Sequence, residues 1–269
     1  MNVKIISLEQ KAAGDKKLPL QFNEEFRPDL IRRAVLAIQS KRRQPYGTNK
    51  EAGKRSSAEV SRRRRDYRGS YGIGISRVPR KVMSRRGTRM NWVGAFAPNT
   101  VGGRRAHPPK ATKIWAHKIN KKENWKAIRS AMAATMSKDI VKKRGHVIPE
   151  NFPFVIESKI EELNKTKDVL AILGKLGFEK ELERAASKSV RSGKGKMRGR
   201  KYEKKKGPLI VVANTEKIEK AARNIGGVEI VDVRQLNAEV LAPGALPGRL
   251  TLWSNAALDR LEKEKLFLP

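Results

Sequence analysis

Hydrophobic positions at both ends of the chain follow the short periods of regular structure. VKIISLEQ (Val3–Gln10) and LPLQF (Leu18–Phe22), separated by a Gly14-Asp15-Lys16 turn, predict two short strands. RPDLIRRAVLAIQS then repeats its apolar residues at helical spacing, with Pro28 in the first turn and Ile31, Ala34, Val35 and Ile38 on one face. A second helix is predicted from about Lys121 to Lys143. Asn120 and Glu123 are spaced as a capping box, and Trp125, Ile128, Met132, Met136 and Ile140 form its stripe.

From Phe152 onward, apolar β-branched runs alternate with amphipathic stretches. FVIE, LIVVAN, VEIVDV and LTLW read as strands; KTKDVLAILGKL, FEKELERAAS, TEKIEKAARNI and SNAALDRLEKEKL read as the segments between and after them. Strands with no polar face are those of a parallel sheet covered on both sides. The fold class is therefore α/β, a mainly parallel sheet with flanking helices, layered as in Rossmann folds but without a nucleotide fingerprint. Asn214 or Thr215 and Ser254 are the expected helix caps, and no internal repeat occurs.

Between the first two helices the pattern stops. Residues 41–113 hold 21 Lys or Arg against Glu51, Glu59 and Asp66, a net charge of +18 within a total of +34. Residues 188–206 add a net +9, leaving +7 for everything else. The organisation predicted is one α/β domain, about 1–40 and 114–269, carrying an inserted extended basic loop, about 41–113, and a second basic loop, about 188–206. Unstructured loops beyond about 12–15 residues are uncommon in compact domains. A segment this polar buries too little apolar surface to offset the entropy of ordering it, so it is expected to take its structure from a polyanion.

Several chemistries fall away. With no cysteine there is no disulfide framework, thiolate metal site or cysteine nucleophile. VKIISLEQ runs straight into polar residues, unlike a signal peptide, and no apolar run has membrane-spanning length. His107, His117 and His146 stand at no ligand spacing and are expected at the surface or against RNA. The glycines of RSGKGKMRGRKYEKKKGP match neither dinucleotide nor P-loop spacing, and they precede a strand where both motifs follow one. Trp125, Trp253, Met132 and Met136 read as core, and no cofactor is expected.

The basic segment mixes arginine clusters, glycines and single aromatics. Arginine's planar fork suits phosphate oxygens, and aromatic rings stack on unpaired bases, which favours folded RNA over uniform duplex. The RNA-binding candidates begin with Arg42, Arg43, Lys54 and Arg55, then Arg62, Arg63, Arg64, Arg65, Tyr67, Arg68 and Tyr71. They continue with Arg77, Arg80, Lys81, Arg85, Arg86, Arg89 and Trp92, then Arg104, Arg105 and Lys110. The second cluster contributes Arg191, Lys194, Lys196, Arg198, Arg200 and Lys201.

SAEVSRRRRDYRGSYGIGISRVPR, RRGTRMNWVGAFAPNTVGGRRAHPPK and RSGKGKMRGRKYEKKKGP together resemble the archaeal and eukaryotic branch of universal large-subunit ribosomal protein four. FAP at Phe96–Pro98, GKGKMR at Gly193–Arg198, and the LAPG, LTLW and SNAAL stretches extend the resemblance over nearly the whole chain. It implies a structural protein of the cytoplasmic large subunit, bound to ribosomal RNA beside neighbouring ribosomal proteins. It also implies that the tip of the long loop, around Arg77–Trp92, lines the polypeptide exit tunnel near the nascent chain. Arg80, Lys81, Arg85, Arg86, Arg89 and Trp92 are then the tunnel-proximal candidates, with Arg62–Arg65 and Arg104–Lys110 gripping RNA along the limbs. The reading from another class is an RNA-processing or RNA-modifying enzyme that holds substrate with the basic loop. A DNA-architectural or membrane-surface binder would need a reading helix or an amphipathic basic helix, and the loop has the period of neither.

Overall fold

The computed structural model describes residues 1–67 and 69–268. In chain order the elements are β1 (Asn2–Ile6), β2 (Ala12–Lys17), α1 (Pro28–Lys41), β3 (Arg80–Arg86), β4 (Arg89–Gly94), α2 (Lys121–Met136) and α3 (Lys138–Lys143). There follow β5 (Phe154–Ile156), α4 (Thr166–Lys175), α5 (Glu179–Ala186), β6 (Lys188–Val190), β7 (Tyr202–Lys204) and β8 (Leu209–Val212). The last are α6 (Ile218–Ala222), β9 (Glu229–Asp232), α7 (Ala238–Leu241), β10 (Thr251–Ser254) and α8 (Asn255–Lys263). The chain divides into two units, 1–42 with 116–269 and 43–115.

The larger unit is mixed α/β. Its sheet has the order β2-β1-β5-β10-β8-β9, parallel from β1 to β9, with β2 antiparallel at one edge. Strand periodicity sorts the side chains into two cores. Val155, Trp253, Val211 and Leu209 join α1, α2, α7 and α8 on one face, while Phe154, Ile156, Leu252, Ile210 and Val212 join α4 and α6 on the other. Trp253 is fully buried, with the Phe22 ring edge-on at 5.0 Å.

Three local expectations are corrected. The second strand lies at Ala12–Lys17, over the predicted turn, and LPLQF forms a 3₁₀ turn instead. β2 is an exposed edge strand, so backbone pairing with β1 specifies it without any apolar alternation. The predicted long helix breaks at Ser137, whose ψ of 114° is extended, into α2 and α3. Asn120 makes no side-chain cap, and Glu123, the other half of the predicted box, pairs instead with Arg33 on α1 at 2.8 Å. Ser254 does cap α8, accepting from the Ala257 amide at 3.1 Å. Asn214 accepts from the Glu216 amide in the turn ahead of α6, and the α6 cap position is Lys217.

Candidate nucleic-acid interface

Both basic clusters carry β-structure that the sequence pattern conceals. In residues 43–115, β3 and β4 pair antiparallel, with Arg86 opposite Arg89 and a Gly87-Thr88 connection. Gly87 has φ +59°, a conformation costly for any residue with a Cβ, which fits the two-residue hairpin turn. Met90 and Trp92 alternate with exposed neighbours along β4; this weak period is the signal that the flanking charges mask. The six tunnel-proximal candidates therefore all lie on one hairpin.

Elsewhere in this unit the two limbs touch. The Thr48 amide donates to the Pro109 carbonyl at 3.2 Å, and a Cβ on Gly47 would come within 2.6 Å of the Ala111 nitrogen, so only glycine allows that approach. Tyr46 stacks on Trp115, ring centroids 5.7 Å apart and planes 17° from parallel. The Arg43 guanidinium carbon lies 3.7 Å from the Trp115 ring centroid, and Lys113 Nζ lies at 4.3 Å. Arg104 lies over Phe96 at 5.7 Å, and Arg77 donates to the Tyr71 hydroxyl at 3.2 Å. The segment thus holds contacts of its own, against the expectation that all its order comes from a polyanion. Trp115, which closes this end of the segment, is absent from the sequence-derived candidates although its arginine and aromatic neighbours mark it.

What the segment lacks is neutralisation. Among the described residues every ion pair lies in the α/β unit and none within 43–115. Asp66 is taken up by the Ser61 hydroxyl and the Tyr67 amide. Arg62, Arg63, Arg64 and Arg65 are exposed, and their side chains make no hydrogen bond or ion pair among the described residues. Lys54, Arg55, Lys81, Arg86, Arg89, Arg105 and Lys110 are exposed as well. Arg80 is tied to Ser76, and Arg85 to the Gly87 carbonyl. Arg42 stands apart: it belongs to the α/β unit and pairs with Glu239. Arg68 lies outside the described residues.

The second cluster is a ribbon. β6 and β7 pair antiparallel, and Lys194–Arg198 forms a 3₁₀ turn at its end. Lys194, Lys196, Arg198, Arg200 and Lys201 are exposed, while Arg191 is half-buried and its amide donates to the Lys201 carbonyl at 2.8 Å. The base of the ribbon is held by residues that sequence reasoning did not select. Arg184 donates to the Lys206 carbonyl at 2.8 Å, Arg249 Nε to the Gly207 carbonyl at 3.0 Å, and Lys206 pairs with Glu229. Arg249 has no exposed surface; burial lowers its pKa and Glu229, at 2.5 Å, opposes that.

His146 is corrected here too: it is buried, its Nδ1 2.7 Å from Glu181. Burial lowers its pKa below 6.5, against the pull of Glu181. Glu181 is itself buried, which pushes its carboxyl up, but Arg184, His146 and the Val147 amide outweigh burial and hold it at about 2. His107 and His117 are exposed, as expected.

Open, mainly parallel α/β sheets commonly bind ligands beyond the carboxyl ends of their strands. In this chain that edge is occupied from within. Glu161 accepts from the Ala213 amide at 2.9 Å, the Asn214 amide at 3.1 Å and the Ser254 hydroxyl, so the donors an incoming phosphate would use are already taken.

An α/β body bearing two carboxylate-poor cationic segments is the build of a ribosomal protein, and the chain belongs to the Ribosomal protein L4/L1 family, matching it over residues 17–264. It is 52% identical over 268 residues to Large ribosomal subunit protein uL4 of Nanoarchaeum equitans, covering 99% of this chain and all of that one. The protein of the same name from Archaeoglobus fulgidus is 45% identical over 262 residues (97% and 98% covered), and that of Methanoculleus marisnigri 46% over 264 (98% and 99%).

Proposed function

We propose that this chain is a structural constituent of the large ribosomal subunit in the cytoplasm, where it binds large-subunit ribosomal RNA beside neighbouring ribosomal proteins. One observation carries the reading: a segment with a net charge of +18 contains no internal ion pair among its described residues. Phosphates neutralise such charge favourably, by releasing counterions. The role is structural, not catalytic. That reading rests on the family match over residues 17–264, and the RNA-processing alternative has no observation in its favour.

In finer detail, the body layers as in Rossmann folds without a nucleotide function, and the basic insert runs as an extended arm in the ribosome. Its exposed cations, with Tyr67, Arg68 and Tyr71, grip RNA along the limbs. The β3–β4 hairpin lines the exit tunnel and meets the nascent polypeptide. The β6–β7 ribbon is a second RNA-binding surface. Sedimentation tests this reading: the protein is expected to co-migrate with large-subunit particles, to resist moderate salt and to be released by ribonuclease. A soluble pool indifferent to ribonuclease would refute it.

A further inference from the structure

Within the insert, Tyr46, His107, Lys110, Lys113 and Trp115 line a groove of about 380 Å³ that includes no carboxylate. That volume is at the small end of ligand clefts. The groove is built, not incidental. Tyr46 is held by its stack on Trp115, which Arg43 and Lys113 in turn approach, yet Tyr46 is 53% exposed. Cations alone would serve for a phosphate. A tyrosine ring fixed in place and left open among them adds a platform, and the group that joins a flat π-face to flanking negative charge is a nucleotide.

We propose that this groove takes one unstacked RNA nucleotide, its base on Tyr46 and the adjoining phosphates on Lys110 and Lys113. The inference rests on the RNA-binding reading above and adds a position to it. The test uses the full chain, large-subunit ribosomal RNA, and heparin as a polyanion without bases. Stacking on a single aromatic corresponds to about a five- to 150-fold change in affinity. Tyr46→Ala should weaken RNA binding within that range, leaving the salt slope and heparin binding unchanged, and Tyr46→Phe should bind as the parent does. Lys110→Gln with Lys113→Gln should lower the RNA salt slope by roughly 0.7 for each phosphate no longer neutralised. Unchanged RNA affinity in Tyr46→Ala, or an equal loss toward heparin and RNA, would overturn the nucleotide site. Failure of the parent protein to bind the RNA at all would instead remove the ribosomal reading beneath it.

Discussion

Glu181 has no exposed surface, and three donors stabilise its charged form. Its folded pKa of about 2 lies below the ordinary 4.5, so its contribution is complete above pH 4.5 and is lost as pH falls from 4.5 toward 2. The amount is on the order of 3 kcal/mol. His146 acts in the same direction, since its depressed pKa favours the folded state above 6.5 and the benefit fades as pH falls below that. Urea unfolding at pH 7, 4 and 3 should therefore show a steep acid loss in the parent and a flatter one in Glu181→Gln; parallel profiles would contradict the assignment. None of this could be read from RGHVIPE, because the partner of His146 lies 35 residues away and only packing joins them. The same holds for Glu161, whose donors come from the ends of β8 and β10. Glu161→Ala leaves the buried Ser254 hydroxyl and the half-buried Ala213 amide without this acceptor and should cost about 1–3 kcal/mol in the same unfolding measurement.

Elements whose own period matches their surroundings were legible. α1, β8, β10 and α8 lie where the apolar spacing predicts them, since each buries its patterned face against one of the two cores. Elements defined by pairing or by tertiary contact were not. β2 has no buried face, the break at Ser137 leaves the apolar stripe uninterrupted, and the β3–β4 hairpin is hidden by its arginines. The hairpin also makes a dynamic prediction. Two strands alone are marginal in water. Amides of Arg80–Gly94 should exchange hydrogen readily in the purified protein and slow markedly when RNA is bound. Gly87→Val, forced to φ +59°, should cost the turn about 1–2 kcal/mol and speed that exchange further in the free protein. Equal protection with and without RNA would show that the hairpin does not depend on its partner.

On the scale of the whole chain, charge and shape divide the work. Every ion pair among the described residues lies in the α/β unit, and its Ser40 hydroxyl accepts from the His117 amide at 2.9 Å, so the chain leaves this unit and returns to it at neighbouring points. Among the described residues the insert between those points holds no ion pair. Composition alone makes this division visible; the limb contacts, the ribbon and the Trp115 stack arise only in the folded chain, because each joins residues that no local pattern relates. Replacing Arg62–Arg65 with glutamine should weaken RNA binding and lower the salt slope by roughly 0.7–0.9 for each phosphate released from an arginine, as read from titrations across salt concentration. The most direct measurement is a crosslink map between this protein and ribosomal RNA in assembled large subunits. Crosslinks concentrated in 43–115 and 188–206 are the predicted result, and crosslinks confined to the helices and sheet of the α/β unit would contradict it.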